Sequence, residues 1–444
     1  MKQLVILAGG KGTRLKDRLG DLPKPMVPIG GRPLLEHQVE LARRYGFLDL
    51  VFFVHFRAEL IEQCFGNGEK WGVKIRYVRE REPLGTAGAV LAGWSELADR
   101  FVVMYGDTMV NVDLERLWLA HERDGSQATI LVHPNDHPLD SDLVEVDATS
   151  RVVAFHNRPH REGFWHQNLV NAGLYLLDKA ALKPYLPGDA MKNSGPYDFG
   201  RDLFPALLRD GGKMLGYNSP EYIKDIGTPQ RYDRVCAEFG SGVIARSSLA
   251  TPQRAVFLDR DGTLVPERDG LRSAAELELF PGTAEAIREF NHHGWRTVLI
   301  TNQPVIAKGW CTPEELQTVH NKLEMLLGRE HAFLDRVYFC PHHPEKGFPG
   351  ERAELKIDCD CRKPKIGMVV RATKDLNLDL SCCWLIGDST TDVQTARNAG
   401  LKSILVRTGH SGNDRRYPVE PDETFDTLAQ AARFLMAREE AATL

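Results

Sequence analysis

The stretch Ala255-Val-Phe-Leu-Asp-Arg-Asp-Gly-Thr-Leu264 decides the fold of the second half of the chain. It opens with apolar, strand-forming residues that have no helical period, and it then breaks into Asp259-Arg-Asp261-Gly262. Two carboxylates so close together at the end of a buried strand raise each other's pKa unless a cation lies between them. A Mg²⁺ ion with oxygen ligands meets that need, and such sites usually handle phosphate. The alternative is a strand followed by an ordinary Asp-Gly turn, and three later segments decide between the two.

These three segments favour the interpretation as a phosphate site. Val298-Leu-Ile-Thr-Asn-Gln303 is a second apolar strand that ends in a hydroxyl, and Cys361-Arg-Lys-Pro364 supplies cations. Trp384-Leu-Ile-Gly-Asp388 is a third strand that ends in a carboxylate, with Asp392 close behind. Polar side chains at the carboxyl ends of several strands are typical of the active edge of an open α/β sheet. The four segments, in this order, resemble the haloacid dehalogenase-like phosphatases.

The resemblance implies a two-step phosphoryl transfer. Asp259 is expected to be the nucleophile that forms an aspartyl-phosphate, and Asp261 to be the general acid for the leaving alcohol and then the base for water. Asp388 is expected to complete a Mg²⁺ site with the Asp259 side chain and the backbone carbonyl of Asp261. Asp392 is expected behind these ligands rather than among them.

The same resemblance assigns four further residues to the substrate of this half. Thr301 and Lys363 are expected to hold the transferring phosphoryl group, because charge spread over its oxygens needs fixed donors. Asn302 and Arg362 are expected to contact the substrate. The second half is therefore predicted to be a Mg²⁺-dependent phosphatase.

Thiols and an imidazole form another constellation in this half. Cys340-Pro-His342 and Cys359-Asp-Cys361 are paired ligand sets that flank a loop, the pattern of a structural Zn²⁺ site. His343 is an alternative ligand. A disulfide is the other interpretation, but a Cys-x-Cys bridge would be strained and the cytosol is reducing. The zinc loop, followed directly by Arg362 and Lys363, resembles that of the D,D-heptose 1,7-bisphosphate 7-phosphatases and the related histidinol-phosphate phosphatases.

The first half opens with a buried strand that runs into a glycine-rich loop, Leu4-Val-Ile-Leu-Ala-Gly-Gly-Lys-Gly-Thr-Arg-Leu15. Its glycines lack side chains, so backbone N–H groups can close on a phosphate or a base edge. These residues are Gly9, Gly10 and Gly12. The spacing matches neither the dinucleotide fingerprint nor the P-loop. The loop is therefore expected to bind a nucleotide in another way.

Leu22-Pro-Lys-Pro-Met-Val-Pro-Ile29 follows, and its prolines fix an extended loop that presents Lys24. The glycine loop and this lysine together resemble the sugar-1-phosphate nucleotidyltransferases. In that family the loop, which includes Thr13 and Arg14 here, holds the nucleoside triphosphate, and Lys24 would contact phosphate.

Further segments of the first half agree with this resemblance, in order, as far as about residue 235. Asp107 ends an apolar strand and Asp225 lies in a later one, and the family would use both to hold one or two Mg²⁺ ions. Gly85 and Thr86 match the turn that binds the base, and Asn171 matches the segment that binds the sugar. Each has an ordinary alternative, such as a Gly-Asp turn or a cap, but the ordered set favours the family.

The mechanism implied for this half is an in-line attack by a sugar 1-phosphate oxygen on the α-phosphorus, with pyrophosphate leaving. Arg14 and Lys24 are expected to stabilise the transition state, and no protein nucleophile is needed. The family often has Glu-Lys-Pro near the sugar, where this chain has His156-Asn-Arg-Pro-His160. Arg158 can replace the lysine as a phosphate ligand. The missing glutamate predicts a substrate other than glucose 1-phosphate.

The chain of 444 residues is expected to hold two Rossmann-like, three-layer α/β/α domains, the second of them haloacid dehalogenase-like with a small zinc-tied loop. Residues 1–238 are predicted to form the nucleotidyltransferase domain and residues 253–436 the phosphatase domain. The small, polar and glycine-rich stretch 239–252 between them is predicted to be a linker.

Composition limits the partners. The net charge of −5 argues against nucleic acid or an anionic membrane as a partner. The apolar run at the N-terminus is too short for a signal peptide, and no segment reaches the length of a membrane-spanning helix. A cytoplasmic enzyme with small-molecule substrates, a nucleoside triphosphate and sugar phosphates, is expected.

The two resemblances together predict a bifunctional enzyme of NDP-heptose synthesis. The second half would remove the 7-phosphate of heptose 1,7-bisphosphate, and the first half would transfer a nucleotidyl group, with GTP the expected donor, to the resulting heptose 1-phosphate. One alternative keeps both activities with another sugar, such as mannose 1-phosphate and a general sugar phosphatase. Others are a fused histidinol-phosphate phosphatase, or one domain that only binds or regulates. The complete acidic sets in both halves argue against the last of these.

Overall fold

The computed structural model describes residues 2–10, 12, 20, 22–161, 163–186, 195–268 and 270–443. The chain divides into two units. The first contains residues 1–133, 142–157 and 169–248, and the second contains residues 134–141, 158–168 and 249–444. In the described ranges no helix is long and apolar enough to span a membrane. The contacts of the segments 134–141 and 158–168 thus group them with the second unit, although they lie within the first half of the sequence.

The first unit contains thirteen of the described strands. They are β1 (Gln3–Leu7), β2 (Pro28–Ile29), β3 (Arg32–Pro33), β4 (Asp49–Val54), β5 (Lys74–Arg79), β6 (Arg100–Tyr105), β7 (Thr108–Asn111), β8 (Ala128–His133), β9 (Leu143–Val146), β10 (Val152–His156), β11 (Val170–Asp178), β12 (Met214–Asn218) and β13 (Tyr222–Asp225). Nine of them form one sheet in the order β10-β9-β11-β6-β1-β4-β5, in which β8 pairs with β11 and β12. β1, β4, β5 and β6 are parallel, and β11 runs antiparallel to β6. β13 and β7 form a separate antiparallel pair.

Helices cover both faces of this sheet. They are α1 (Leu34–Arg44), α2 (Ala58–Phe65), α3 (Thr86–Ala92), α4 (Leu114–Asp124), α5 (Lys179–Leu182), α6 (Phe204–Arg209), α7 (Pro229–Gly240) and α8 (Val243–Arg246). Because side chains alternate along a strand, β1 contributes to two cores. Leu4 and Ile6 pack into one apolar cluster and Val5 into another. A sheet that is buried on both faces is the three-layer arrangement expected from the sequence.

The second unit is built on a six-stranded parallel sheet in the order β16-β15-β14-β17-β18-β19. The strands are β14 (Ala255–Leu258), β15 (Arg296–Asn302), β16 (Arg336–Cys340), β17 (Trp384–Gly387), β18 (Lys402–Val406) and β19 (Glu423–Phe425). The helices are α9 (Thr283–His292), α10 (Pro313–Arg329), α11 (Gly367–Leu376), α12 (Thr390–Ala399) and α13 (Leu428–Thr443). Val256 and Leu258 pack into one core and Ala255 and Phe257 into another, so this sheet too is covered on both faces. The prediction of an α/β chain with two Rossmann-like sheets is confirmed.

The strand order positions the polar residues of the second unit. β14 lies between β15 and β17 and is parallel to both. Parallel neighbours end at the same edge of a sheet, where ligands of open α/β folds bind. Asp259, Thr301 and Asp388 therefore come together, although they are distant in sequence.

Candidate functional sites

A buried ion-pair network surrounds the carboxylate at the end of β14. Nζ of Lys363 lies 2.9 Å from Oδ1 of Asp259 and 2.6 Å from Oδ1 of Asp392. The lysine side chain is 3% exposed and that of Asp392 is 1% exposed, so the pairing takes place out of water. Ser389, at the start of α12, donates its backbone N–H and its hydroxyl to the other oxygen of Asp392. Lys363 thus bridges the strand-end aspartate and the first turn of a helix.

The carboxylate of Asp388 lies in the same site, with the backbone at Gly262 and at Gly409 close to it. A side chain at Gly262, whose φ is +78°, would bring a Cβ within 2.3 Å of the Asp388 carboxylate, and one at Gly409 would come within 2.2 Å. The backbone N–H of His410 donates to Oδ2 of Asp388 at 2.5 Å. Only glycine permits both approaches, so the loop after β18 and the turn after β14 close around this carboxylate.

The carboxylates of this site repel one another. Burial raises the pKa of Asp388 to about 7, and the charge of Asp392 adds to the effect, while the His410 N–H and Lys363 oppose it. Burial likewise raises the pKa of Asp259 against the lowering effect of Lys363. The pKa of Lys363 is itself raised, because Asp259 and Asp392 outweigh the cost of its burial. Oxygen atoms of Asp259, Asp388 and Asp392 lie within 4.8 Å of one another, close enough to share a cation.

The second strand-end aspartate, Asp261, is held from the side. Both of its oxygens accept from the guanidinium of Arg260, at 3.0 and 2.9 Å, and Oδ2 also accepts from Nε2 of Gln303 at 2.8 Å. Nε2 of Gln303 donates further to the Thr301 hydroxyl at 2.8 Å. The carboxylate predicted to be the acid–base group and the hydroxyl predicted to bind phosphate therefore share one neighbour.

Asn302 and Arg362 support the site through backbone contacts. The side chain of Asn302 donates to the carbonyl of Lys363 at 3.2 Å and accepts from its N–H at 3.0 Å, so both polar groups of the carboxamide are engaged. Arg362 donates to the carbonyl of His342 at 3.2 Å. These contacts fix the segment that carries Lys363. Whether Asn302 and Arg362 also contact the substrate stays a prediction.

A cluster of sulfur and nitrogen atoms lies beside this segment. Sγ of Cys359 is 3.5 Å from Sγ of Cys340 and 3.3 Å from Sγ of Cys361, and Nδ1 of His342 is 3.7 and 3.4 Å from Sγ of Cys340 and Cys361. A disulfide needs sulfurs about 2.0 Å apart, whereas a tetrahedral ion with bonds of about 2.0 to 2.3 Å separates its ligands by about the distances seen here. Nδ1 of His343 instead lies 3.4 Å from the carbonyl of Glu345. The four predicted ligands can therefore hold a metal ion together.

The first unit has its own acidic site between β7 and β13. The backbone N–H of Ile226 donates to the carbonyl of Asp107, which places Asp107 and Asp225 on neighbouring chains. Nζ of Lys24 lies 2.7 Å from Oδ2 of Asp107. Asp225 accepts from Nη1 of Arg231 at 2.8 Å and from the N–H of Gly227 at 2.8 Å. Each predicted metal ligand thus has a basic side chain beside it.

The glycine loop lies against Lys24. A Cβ at Gly12, whose φ is +65°, would come within 3.0 Å of Cγ of Lys24, and one at Gly10 within 3.8 Å of its Cδ. A Cβ at Gly9 would meet the carboxylate of Glu80 at 3.0 Å. The sites predicted at Thr13 and Arg14 lie outside the described residues, as does Lys11 of the same loop.

The predicted base-binding turn packs tightly on another loop. A Cβ at Gly85 would lie 2.5 Å from the backbone nitrogen of Tyr197, and the backbone and hydroxyl of Thr86 both donate to Oδ1 of Asp198 at 3.0 Å. Asn171 lies on β11, where its side-chain oxygen accepts from the N–H of Gly173 at 3.3 Å. The structure therefore adds Asp198 to the residues around this turn.

Arg158 belongs to the second unit. Its Nη1 donates to the carbonyl of Asp140 at 2.8 Å and to the Asp140 carboxylate at 3.0 Å. Its predicted role as a phosphate ligand of the first half stays a prediction.

Both halves match known families. A model of the nucleotidyl transferase family matches residues 3–240, and a HAD-hydrolase-like model matches residues 360–431. The chain belongs to the nucleotidyl transferase family. Among its relatives, the mannose-1-phosphate guanylyltransferase of Mycobacterium tuberculosis is 32% identical over 263 residues, which are 59% of this chain and 70% of the relative.

The second half of this nucleotidyl transferase has relatives of another kind. The D-glycero-D-manno-heptose-1,7-bisphosphate 7-phosphatase of Thermosynechococcus vestitus is 38% identical over 191 residues, which are 41% of this chain and 96% of the relative.

The chain is also similar to solved structures. HddC from Yersinia pseudotuberculosis complexed with GMP-PN is 29% identical with a TM-score of 0.46, and the match covers 54% of this chain and 100% of the HddC chain. The family model of the first half and the 7-phosphatase relative of the second confirm the resemblances to a nucleotidyltransferase and to a heptose bisphosphate phosphatase.

Several side chains of this nucleotidyl transferase that contact the predicted site residues were missed by sequence reasoning. They are Asp198, Arg231, Arg260 and Gln303. His320 lies behind them, with its Nε2 at 3.3 Å from Nη1 of Arg260. Arg260 and Gln303 stand within the quoted motifs, so their positions were a usable signal. Nothing in the sequence marks Asp198, Arg231 or His320, because their contacts depend on how distant elements pack.

Proposed function

We propose that this chain is a bifunctional enzyme of NDP-heptose synthesis. The second half would remove the 7-phosphate of D-glycero-D-manno-heptose 1,7-bisphosphate, and the first half would transfer GMP from GTP to the resulting heptose 1-phosphate. The observation that carries the proposal is the pairing, in one chain, of a nucleotidyl transferase with a half whose relative is a heptose bisphosphate 7-phosphatase. The product of that phosphatase is a sugar 1-phosphate, the class of acceptor that the transferase half requires.

In the phosphatase half, the Asp259 carboxylate would attack the phosphorus of the 7-phosphate. The bond between phosphorus and the sugar oxygen breaks, and Asp261 gives its proton to the departing alkoxide. Water then attacks the aspartyl-phosphate, Asp261 takes up a proton of that water, and phosphate leaves. Lys363 and the Thr301 hydroxyl would compensate the charge on the phosphoryl oxygens.

A cation fits the carboxylates of this half. Asp259 and Asp388, whose pKa values are raised by burial and by the neighbouring Asp392, would hold Mg²⁺ together with the backbone carbonyl of Asp261. The ion would supply positive charge to the phosphoryl oxygens. Asp392 is paired with Lys363 and Ser389, which supports a place behind the ligands.

In the transferase half, an oxygen of the sugar 1-phosphate would attack the α-phosphorus of GTP, and the bond to the departing pyrophosphate would break. Asp107 and Asp225 would hold Mg²⁺, which compensates the phosphate charge. Lys24, which lies between the glycine loop and Asp107, would contact the phosphates. Arg14, Gly85, Thr86 and Asn171 keep their predicted roles in binding the triphosphate, the base and the sugar.

The four-ligand cluster beside Arg362 would hold a structural Zn²⁺ ion. Three thiols and one imidazole at separations of 3.3 to 3.7 Å suit that ion. It would fix the segment that carries Lys363 and take no part in the chemistry.

A coupled assay tests the proposal. The purified protein receives each anomer of the bisphosphate with Mg²⁺ and one of GTP, ATP, CTP or UTP, and products are identified by mass. We expect GDP-heptose without a 7-phosphate. The variant Asp259→Asn should form it from heptose 1-phosphate and not from the bisphosphate, and Asp107→Asn should stop at heptose 1-phosphate. If the unmodified protein releases no phosphate from either anomer, the heptose assignment is wrong.

Mannose 1-phosphate is the second candidate acceptor, because a relative of the first half is a mannose-1-phosphate guanylyltransferase. Competition decides between the two sugars. With equal concentrations of heptose 1-phosphate and mannose 1-phosphate, GDP-mannose as the main product would favour this alternative.

A further inference from the structure

Arg260, the residue between the two strand-end aspartates, is completely buried. An arginine is seldom enclosed unless its charge and its donors are matched. Its Nε and Nη2 lie 3.0 and 2.9 Å from the two oxygens of Asp261, Nη2 also lies 2.8 Å from Oε1 of Gln303, and Nη1 lies 3.3 Å from Nε2 of His320. One guanidinium therefore orients three side chains from three elements of the second unit.

The guanidinium also sets the direction of every hydrogen bond in this chain of contacts. Arginine has only donors, so the oxygen of the Gln303 carboxamide must face it and the NH₂ group must point away. There Nε2 lies 2.8 Å from Oδ2 of Asp261 and 2.8 Å from Oγ1 of Thr301. Both amide hydrogens are thereby engaged, and Gln303 is only 2% exposed.

The orientation of the Gln303 amide determines whether the Thr301 hydroxyl can donate its hydrogen to a substrate. A hydroxyl has one hydrogen to donate and two lone pairs to accept with. Because Gln303 donates to Thr301, the hydroxyl hydrogen is not used on Gln303 and remains available to another acceptor. Thr301 is 1% exposed and is the penultimate residue of β15, whose carboxyl end lies at the same sheet edge as Asp259, so a phosphoryl group on Asp259 would be an acceptor for this hydrogen.

His320 supports the arrangement from α10. Since Nη1 of Arg260 can only donate, Nε2 of His320 must accept, which leaves the ring proton on Nδ1 and the ring neutral. Burial, and then the charge of Arg260, hold the pKa of His320 well below its ordinary value. The ring packs against Phe339 with a centroid distance of 5.5 Å. A neutral, packed histidine keeps the buried guanidinium in place.

We propose that Gln303 is a positioning residue of the phosphatase reaction. It turns the Thr301 hydroxyl hydrogen towards the transferring phosphoryl group and holds Oδ2 of Asp261, so the phosphate-binding hydroxyl and the acid–base carboxylate share one support. The inference rests on the proposed phosphatase function and adds a residue to which no role was assigned.

Two variants test it by different routes. Gln303→Met keeps the length of the side chain and removes the amide. Gln303→Glu keeps an acceptor for Arg260 but replaces the NH₂ group, so Thr301 would have to donate to it. For both we expect kcat for phosphate release from heptose bisphosphate to fall by about 10- to 100-fold and KM to change by a smaller factor, because the loss is one of orientation at the reacting group.

Gln253→Met is the matched control. Gln253 is also a buried glutamine whose Oε1 accepts from an arginine, Arg296, at 2.9 Å, but it precedes β14 instead of lying at the carboxyl edge of the sheet. Its variant should keep the kcat of the parent protein. Loss of kcat in Gln253→Met equal to that in Gln303→Met would mean that both act through folding, and would overturn the proposal.

A double-mutant cycle with Thr301→Val separates a positioning effect from an independent one. If Gln303 acts through Thr301, then Gln303→Met lowers kcat by a smaller factor in the Thr301→Val background than in the parent. Equal factors in both backgrounds would overturn the role assigned through Thr301. An active parent whose kcat Gln303→Met leaves unchanged overturns this inference alone, whereas a parent that releases no phosphate overturns the proposed function with it.

Discussion

The ammonium nitrogen of Lys363 lies 2.9 Å from Oδ1 of Asp259, the carboxylate proposed as the nucleophile. A nucleophilic carboxylate must be ionised, and burial alone disfavours that state. Lys363 opposes the burial effect on the pKa of Asp259, and a second pairing with Asp392 keeps the lysine charged and in place. The ionisation of Asp259 at the end of β14 therefore depends on Lys363, which lies on a loop far away in sequence.

Replacing this lysine should separate the two activities. We expect Lys363→Met to lower phosphate release by at least about 100-fold, since a fixed cation at the phosphoryl group is lost. Nucleotidyl transfer to heptose 1-phosphate should continue. Lys365→Met is the control, because that side chain is 46% exposed and pairs with Asp358. Phosphate release that survives in Lys363→Met would contradict the assignment.

Metal analysis should find zinc. We expect one Zn²⁺ per chain, and we expect Cys361→Ser to lower both the zinc content and phosphate release, because the loop that presents Lys363 loses its support. The exposed Cys382 supplies the control, and Cys382→Ser should keep the zinc. Elemental analysis after dialysis gives the ratio. A full zinc content in Cys361→Ser would remove this residue from the ligands.

How much the sequence could predict is clearest in the second unit. The four ordered motifs place Asp259, Thr301 and Asp388 at one sheet edge, because parallel strands end together. The paired spacing of Cys340 and His342 and of Cys359 and Cys361 also selects the four sulfur and nitrogen ligands that the structure brings within 4.8 Å of one another. Short sequence motifs are therefore enough to locate both the strand-end carboxylates and the cluster of sulfur and nitrogen ligands.

The contacts of individual side chains were harder to predict. The motif that contains Asn302 gives no sign that both polar groups of this side chain bind the backbone of Lys363, 61 residues away. Arginine side chains are usually exposed, whereas Arg260 is fully buried. Its burial depends on His320 from α10 and on Gln303 from the end of β15. Such contacts follow from tertiary packing, which short motifs do not record.

Removing a predicted metal ligand of the first unit should impair nucleotidyl transfer and leave phosphate release intact, the reverse of the pattern expected for Lys363→Met. We expect Asp107→Asn to lower nucleotidyl transfer by at least about 100-fold, because a Mg²⁺ ligand and the partner of Lys24 are lost together. Phosphate release from heptose bisphosphate should stay at the level of the parent. Measuring pyrophosphate and phosphate in the same reaction checks both statements. An equal fall in phosphate release would contradict the assignment of Asp107 to nucleotidyl transfer alone.

The buried imidazole of His320 should make the second unit sensitive to acid. Its pKa in the folded protein lies well below 6.5, so as pH falls below about 6.5 the unfolded chain binds a proton that the folded chain does not. Stability is therefore kept above that pH and lost below it, by at most about 2 kcal/mol at about pH 5. His320→Gln retains an acceptor for Arg260 and removes the titration, so its thermal midpoint should fall less between pH 7.5 and 5 than that of the parent. His293→Gln, at an imidazole that is 37% exposed, is the control and should keep the parent's dependence. Equal falls in the parent and in His320→Gln would show that another group governs the acid response.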